Sequence, residues 1–541
     1  MEVFHDVDAA RGTQINNAII KLDGIRAQQT VDGALQKLWD NPRRHRRTSA
    51  TSMARRLDQL EAIWRAHIDK HPGCMNGPAS LSPSPTPTWR VKAANLSSLC
   101  FETLRHGFCS MKDDGATWLR LIVQLSVTNA AVRAGMVLFG AVVQSASASF
   151  SCNSAHSILR RRHAALLALQ KELRTTKTTS AAQVFIASVL LAASEALCGD
   201  LAGGALHLRG AFLAIGRIRA APATSSHQSS PAPVSSTMSS FSPASECENL
   251  HALALSMDIH TAWFRLSQPP DLDPTFCPGA VQLMGTCKTT DKMAILQLLH
   301  SCYHFAYRVS PFKYMSAAYA PAALVEEQCR YLAALRSALA SLRSSDLMHT
   351  KRAGDIQKNL VLRAQCLSTF IYLSTILVPY EVAYDVYNTE FADIVQACEL
   401  LTRHPVNEVS VRPAFQYSLE PGIFQPCYLT AMKCRSLPIR QRAITLLSQL
   451  GCEGPWKSPQ STAVARRALQ LEQIVVDGFV PERARIHGCS TFTLQLSDGT
   501  ASRSFRAEFA FCNDVDRMVA DGDPDDPRYW TMISEDFDIV P

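Results

Sequence analysis

The chain is dominated by long segments in which apolar residues recur every three or four positions, the spacing of one face of an α-helix. The clearest two, residues 181–198 and 201–218, are separated only by Gly199 and Asp200. Glycine is favoured just after a helix and aspartate just before one, so this dipeptide predicts a tight turn between antiparallel helices. Such a chain is expected to bury its apolar stripes by packing helix on helix.

The same spacing predicts further helices along most of the chain. They are expected at 117–145, 154–172, 251–266, 291–307, 322–343, 356–377, 389–403, 438–450 and 461–476. Apolar residues alternate with others from 492 to 496 and from 505 to 511, on either side of an Asp498-Gly499 turn, which predicts one β-hairpin. We therefore predict a mainly α fold, a helical bundle or solenoid-like regulatory domain with one late β-hairpin.

Two stretches rich in proline or serine interrupt the helical pattern, at 76–88 and 220–246. They hold too few apolar side chains to offset the entropy of ordering, so we expect the second to be a disordered insert. The sequence predicts five regions, which are a basic, partly disordered N-terminal region 1–88, a first helical block 89–219, the insert 220–246, a second helical block of the same domain 247–511, and an acidic tail 512–541.

Composition indicates a folded intracellular protein. The 541 residues are 47% hydrophobic and 19% charged, and the formal net charge is only +7. Residues 1–17 carry charges without an apolar core, so no secretory signal is predicted. The most apolar runs, 134–143 and 184–193, are about half the length that a membrane-spanning helix requires. We expect no transmembrane helix.

Motifs for catalysis or metal binding are absent from the sequence. The 17 cysteines include no Cys-x-x-Cys pair, which argues against a structural zinc site. Phosphate-loop, dinucleotide-binding, nucleophile-elbow and HExxH motifs are also missing. We therefore predict neither an enzyme nor a bound cofactor or metal.

Two weaker patterns have ordinary structural explanations. His300 and His304 lie one helical turn apart, with Cys302 between them, which is a spacing used by metal sites. No third ligand is apparent, so polar and core positions of a helix are the better interpretation. Residues 325–342 follow a short heptad pattern that could pair subunits, but Gln328 weakens the seam and favours packing within the chain.

The segment VFIASVLLAASEALCGDLAGGALHLRGAFLAIGRI, residues 184–218, resembles the helical hairpin of the fungal-specific regulatory domain of zinc binuclear cluster transcription factors. Gly199, Asp200, Ala205, His207 and Gly210 are the residues of this hairpin motif. Further segments resemble the family in the same order, and they are 118–143, 253–264, 421–435, 439–447 and 454–472. The resemblance covers roughly residues 90 to 511, and the order of the segments gives it its specificity.

The chain departs from the family at its N-terminus. The family's zinc cluster needs six cysteines, and only Cys74 precedes Trp89. The resemblance thus implies a nuclear transcriptional regulator that lacks its own zinc cluster. It would control a metabolic or biosynthetic gene set, such as one for secondary metabolism, through a DNA-binding partner or coactivator. By itself the chain is expected to bind DNA weakly and without sequence preference. A homodimer is compatible with the sequence.

Two other interpretations stay open. One is a helical interaction scaffold without a transcriptional role. The other is a fragment whose zinc cluster is encoded by an upstream exon.

Six arginines lie close together near the N-terminus, and they are Arg43, Arg44, Arg46, Arg47, Arg55 and Arg56. Two basic groups with a short spacer are typical of a bipartite nuclear-import signal. The alternatives are a basic arm that touches DNA phosphates and a solvated start to a helix at 53–68.

The C-terminal tail combines nine carboxylates with large apolar residues, including Tyr529, Trp530 and Phe537. This mixture is typical of an amphipathic activation segment that presents apolar side chains to coactivators. A tail that folds back onto the basic body of the protein is an equal alternative.

Overall fold

The computed structural model describes the chain from residue 96 to residue 538 with gaps. The described ranges are 96–100, 103–104, 121–147, 152–175, 181–220, 243–264, 268–273, 291–315, 320–346, 353–403, 417–418, 422–454, 456–473, 479–495 and 501–538. The six arginines of the predicted import signal, and residues 221–242 of the predicted insert, lie outside these ranges.

Most of the described residues are helical. The helices are α1 (Ala130–Ser147), α2 (Cys152–Thr175), α3 (Ala181–Cys198), α4 (Leu201–Ala220), α5 (Pro243–Phe264), α6 (Lys292–Val309), α7 (Ala322–Asp346), α8 (Ala353–Thr375), α9 (Asn388–Arg403), α10 (Phe424–Lys433), α11 (Leu437–Gln449), α12 (Ser458–Leu471) and α13 (Val515–Asp521). The strands are β1 (Tyr417–Ser418), β2 (Cys452–Glu453), β3 (Trp456–Lys457), β4 (Ile486–Gln495), β5 (Ala501–Cys512) and β6 (Trp530–Asp538). The predicted mainly α fold is confirmed.

The chain divides into two compact units, and the division falls between Glu246 and Cys247. The described part of the first unit contains α1 to α4, and the second unit contains the helices and strands that follow α5. Each unit is described separately below.

Helix α3 forms the centre of the first unit, where it contacts α1, α2 and α4. Eleven successive residues, 185–195, are buried, so this helix is surrounded by the rest of the unit along that stretch. A preceding helical segment, Leu121–Thr128, meets α1 at an angle of 118°. The kink lies at Asn129, whose side-chain oxygen accepts hydrogen bonds from the N–H groups of Ala131 and Val132 and so caps α1.

Helix α3 is also long and apolar enough to cross a membrane by length and composition. In its 18-residue apolar window, 61% of the residues are buried inside the unit. A buried core helix of a soluble domain passes the same test of length and hydropathy.

Helix α8 has the corresponding position in the second unit, where it contacts α6, α7, α9 and α10. The heptad positions of α7 pack within the chain, since Leu335 and Leu342 are buried and Val325 at the start of the pattern is exposed. Gln328, which interrupts the heptad pattern, donates a hydrogen bond to the carbonyl of Leu373 on α8.

Two small sheets lie in the second unit. Strands β1, β2 and β3 form a three-stranded sheet of two-residue strands. Strands β4, β5 and β6 form an antiparallel sheet with β5 in the centre. The predicted late hairpin corresponds to β4 and β5. It begins at Ile486, earlier than the predicted start at residue 492.

Two predicted boundaries are wrong. Helix α5 begins at Pro243, which lies inside the predicted insert. Residues 512–541 are not a separate acidic tail, because they belong to the second unit and supply both α13 and the third strand of the sheet, β6. The reason is that the carboxylates of this segment find arginine partners on the folded unit, as described below.

Candidate functional site

The turn between α3 and α4 has the two caps that the sequence predicts. Gly199 has a φ of 90°, a left-handed conformation that favours glycine. The N–H groups of Gly199 and Asp200 return to the carbonyls of Ala196 and Glu195, which closes α3. The Asp200 carboxylate accepts a hydrogen bond from the N–H of Gly203 at 2.8 Å and starts α4.

An arginine from α2 fixes this turn in place. Arg162 Nε lies 2.6 Å from Oε1 of Glu195, and its Nη2 donates to Oδ2 of Asp200 at 2.9 Å. Glu195 is buried, and burial raises the pKa of its carboxyl against the opposing effect of Arg162. The ion pair therefore compensates a carboxylate that would otherwise be buried without a partner.

The small residues of α4 differ in what they do. A Cβ on Gly204 would lie 3.2 Å from the carbonyl of Ala192, so this glycine allows the two helices to approach closely. Gly210 has no atom within 4 Å of its Cβ position, so it makes no close helix contact. Its exposed neighbours on α4 include Leu206 and Leu213, which are 66% and 70% exposed.

Two more residues of the hairpin motif lie at intermediate depth. Ala205 and His207 are both half-buried on α4. Burial lowers the pKa of His207, and the positive charge of Arg162 lowers it further. The same arginine that holds Glu195 and Asp200 therefore also disfavours the charged form of His207.

The aromatic residues predicted to form an activation segment are instead packed. Tyr529 is buried and its hydroxyl donates to Asp521, and Trp530 Nε1 donates to the carbonyl of Pro524 at 2.7 Å. Phe537 stacks on Phe505 of β5, with ring centroids 5.1 Å apart. Tyr529 is buried, whereas Trp530 and Phe537 are half-buried.

The tail carboxylates are paired as well. Glu535 accepts two hydrogen bonds from Arg467 of α12, at 2.7 and 2.5 Å. Asp536 accepts two from Arg506 of β5, at 2.7 and 3.0 Å. Of the two sequence interpretations, the structure agrees with the segment that folds back onto the protein.

Sequence reasoning missed a buried ionic cluster in the second unit, which we call the polar junction. Glu381 has no exposed side-chain surface and accepts hydrogen bonds from Lys313 Nζ at 3.1 Å and Lys433 Nζ at 2.6 Å. Lys433 Nζ also donates to the carbonyls of Ile486 and His487, each at 3.0 Å. The junction thus joins α10 to the first residues of β4.

Charge pairing decides the protonation states in the polar junction. Burial alone would raise the pKa of the Glu381 carboxyl, but Lys433 and Lys313 hold it well below its ordinary value. Burial lowers the pKa of Lys433 to about 8, against the attraction of Glu381. The pKa of Lys313 is raised despite burial, because of Glu381. We infer that all three groups are charged at neutral pH.

A second carboxylate closes the junction from the other side. Glu482 accepts hydrogen bonds from the N–H groups of Glu381 and Val382, at 2.5 and 2.9 Å, at the start of the 3-10 helix Glu381–Tyr387. Its Oε1 lies 3.2 Å from Nε2 of His487. The cap satisfies backbone donors that the 3-10 helix leaves unpaired.

A third carboxylate extends the same arrangement. Glu472, just beyond α12, accepts from Arg435 at 2.5 Å, from Arg440 at 2.6 Å and from the N–H of Ile486 at 2.7 Å. Arg440 is 2% exposed, and its Nε donates to the carbonyl of Ala431. These bonds attach the sheet to the helices that precede it.

The chemistry of the polar junction is structural. The three N–H donors of Lys433 have acceptors, and both oxygens of Glu381 have donors. A nucleophilic lysine needs a free electron pair, and a general base needs a free oxygen near a substrate. Neither condition is met, so the cluster is suited to holding the sheet rather than to catalysis.

A separate buried carboxylate lies at the N-terminus of α10. Glu453 accepts hydrogen bonds from the N–H groups of Gly422 and Phe424, and its Oε1 lies 3.9 Å from Nε2 of His260. Burial raises the pKa of Glu453 to about 7, against the two hydrogen bonds. Burial also lowers the pKa of His260 to about 3. The histidine is therefore neutral, and the pair is not an ion pair at neutral pH.

The two histidines with metal-like spacing, His300 and His304, make contacts within the protein. His300 Nε2 lies 2.9 Å from Oδ2 of Asp258, and Asp258 also accepts from the N–H groups of Asp271 and Leu272. His304 Nε2 is 2.8 Å from the carbonyl of Leu272. Asp258 and the two histidines together fasten the segment after α5. In the part of the chain that the structure describes, no group of three or more His, Cys, Asp or Glu side chains is arranged to hold a metal ion.

No family model, no curated protein and no solved structure matches this chain.

Proposed function

We propose that this protein is a transcriptional regulator of the fungal-specific zinc-cluster class that lacks a zinc cluster and reaches its genes through a protein partner. The observation that carries the proposal is the hairpin of α3 and α4. Its sequence is one of the ordered segments that carry the family resemblance, and both caps of its turn form at Gly199 and Asp200. The proposed site of action is the nucleus, on a metabolic or biosynthetic gene set.

Several features of the described residues support an interaction role rather than catalysis. In the described part of the second unit, the buried charges of the polar junction and those around Glu472 have partners within the protein. Exposed leucines lie on α2 and α4 of the first unit. We propose that the chain acts by binding other proteins and carries no cofactor.

The alternative is a helical scaffold with no transcriptional role, and chromatin occupancy separates the two. An epitope-tagged full-length chain should be recovered at discrete promoter regions after crosslinking. A scaffold would give no enrichment over an untagged strain. Uniform background occupancy would contradict the proposal.

Nuclear import is tested separately through the basic cluster. Changing Arg43, Arg44, Arg46 and Arg47 to Ala should move a fluorescently tagged chain towards the cytoplasm. Arg330→Ala with Arg466→Ala is the matched control, because both arginines are exposed on helices of the second unit. If the first variant stays nuclear, the cluster is ordinary surface charge.

DNA binding by the purified chain should depend on salt and not on sequence. Without an element that reads base edges, only phosphate neutralisation contributes to affinity, and it falls steeply with salt concentration. Titration of unrelated duplexes should give equal affinities. A reproducible preference for one duplex at physiological salt would show that no partner is needed.

A further inference from the structure

Helix α2 has an unusual exposed surface. Its buried positions, Ile158, Ala165, Ala168 and Leu169, lie on one side and pack inside the first unit. The opposite side carries exposed residues at three- and four-residue spacing along the whole helix. We call this the α2 face, and it consists of Leu159, Arg160, His163, Leu167, Lys171, Leu173 and Arg174.

The leucines of the α2 face expose much of their side chains to solvent. Leu159, Leu167 and Leu173 are 58%, 41% and 57% exposed. Burying each against a partner would remove apolar area from water, which is the main favourable contribution in protein association. At a rise of about 1.5 Å per residue, the face from Leu159 to Arg174 extends over about 22 Å.

The charge of the α2 face is one-sided. The cations of this face are Arg160, Lys171 and Arg174, and none of the seven residues that define it is a carboxylate. Arg162, on the same helix, binds Glu195 and Asp200 at the hairpin turn. Burial lowers the pKa of the neighbouring Arg161, and the charge of Arg160 lowers it further.

We propose that the α2 face binds an acidic amphipathic helix of a protein partner, with leucine-like residues facing its leucines and carboxylates facing its cations. The inference deepens the proposed function, on which it rests for the partner being a protein. It gives that partner a surface and a chemistry.

The interleaving of leucines and cations favours this partner over a nucleic acid, and the proposed function favours it over a membrane. A nucleic-acid backbone would pair with Arg160, Lys171 and Arg174 but offers no apolar surface to cover the leucines. An anionic membrane surface could cover the leucines while the cations reach its headgroups, so vesicles are included as a competitor in the test. An amphipathic helix satisfies both kinds of side chain at once.

The test uses the purified full-length chain and a fluorescent synthetic peptide of about 20 residues, which as a helix is long enough to cover the face. In the peptide, leucine recurs at three- and four-residue spacing and glutamate fills the positions between. Binding, followed by fluorescence anisotropy, should saturate and weaken as salt rises. Arg160→Glu, Lys171→Glu and Arg174→Glu together should weaken binding at least about tenfold.

Three comparisons make the result decisive. Arg466→Glu on α12 should leave peptide affinity unchanged, because that exposed arginine lies in the other unit. A peptide with lysine in place of glutamate should bind the triple variant and not the original chain. The third comparison is a competition experiment on the unaltered chain. A short DNA duplex or phosphatidylserine vesicles should displace the bound peptide only poorly.

Three results would overturn the inference. They are the absence of saturable peptide binding, tighter binding of the duplex or the vesicles than of the peptide, and an unchanged peptide affinity in the triple variant. Chromatin occupancy is measured independently of the peptide. Occupancy without peptide binding would refute the α2 face alone, and peptide binding without occupancy would refute the transcriptional role alone.

Discussion

Replacing Glu381 by glutamine should destabilise the second unit strongly, although the change removes only one charge. In the protein each carboxylate oxygen accepts from a different buried ammonium, Lys313 at 3.1 Å and Lys433 at 2.6 Å. The amide of glutamine has one acceptor oxygen, and its NH2 group would face the second ammonium. One lysine is therefore left charged and without a counter-ion in the interior.

The magnitude follows from how well each lysine can be rescued. Breaking a buried ion pair by removing one partner costs about 3–5 kcal/mol. Lys313 keeps 19% of its side chain exposed and can turn towards water, whereas Lys433 keeps two carbonyl acceptors. We therefore expect the lower end of the range, about 3 kcal/mol.

Hydrogen exchange measured by mass spectrometry can follow this change in peptides from β4 and α10. A loss of about 3 kcal/mol should speed exchange there by about a hundredfold where opening is local to the unit. Asp536→Asn is the matched control, since its pair with Arg506 lies at the surface and should contribute at most about 1 kcal/mol.

The acid limb of the stability curve gives a second readout. Because Glu381 has a lowered pKa, its contribution is complete above the ordinary carboxyl value of 4.5 and declines as the pH falls below it. The Glu381→Gln variant should lack this part of the decline. Protection equal to that of Asp536→Asn would refute the reasoning that the carboxylate holds the two lysines.

Four further substitutions test individual positions. Glu453→Gln should flatten the pH dependence of thermal melting between about pH 5 and about pH 8, because a pKa raised to about 7 makes the original chain lose stability as the pH rises through that range. Gly199→Ala should cost about 1 kcal/mol in chemical denaturation because of its left-handed φ, whereas Gly210→Ala, in an open helical position, should stabilise by about 0.5–1 kcal/mol. Gly140→Ala should destabilise the first unit by about 1–3 kcal/mol, since its Cβ would lie 1.9 Å from the carbonyl oxygen of Leu96, and a normal melting temperature would contradict that contact.

The helices could be predicted from the sequence because their signals are local. Helix α3 lies at the residues that the apolar spacing predicts, and α4 extends two residues beyond them. The caps at Gly199 and Asp200 depend only on neighbouring residues. The kink at Asn129 was missed because an apolar spacing continues across it, although asparagine is a favoured N-cap residue.

The tail was misinterpreted because its partners are distant in sequence. Glu535 is 68 residues from Arg467, and Asp536 is 30 residues from Arg506. A run of carboxylates without these partners is typical of a solvated segment. The strand alternation is also blurred, because Glu535 lies on the same side of β6 as Ile533 and Phe537.

The polar junction could not be found from sequence at all. Its members are scattered from Lys313 to His487, and each is an ordinary charged residue in its own segment. Charged residues are usually at the surface, so a lysine or glutamate gives no local indication of burial. Only the tertiary arrangement of α10 and β4 brings them together.

The hydrogen bonds from Lys433 to β4 determine the order in which the contacts of the polar junction can form during translation. Glu381 can meet Lys313 as soon as both have been synthesised. Lys433, in contrast, donates to the carbonyl of His487, which is synthesised 54 residues after Lys433 itself. At translation rates of about 5–20 residues per second, that delay is roughly 3–11 s. For those seconds the nascent second unit has its lysine in place without the strand that covers it. Chaperones acting on the nascent chain would therefore find this region open late in translation, after the helices of the first unit have already emerged.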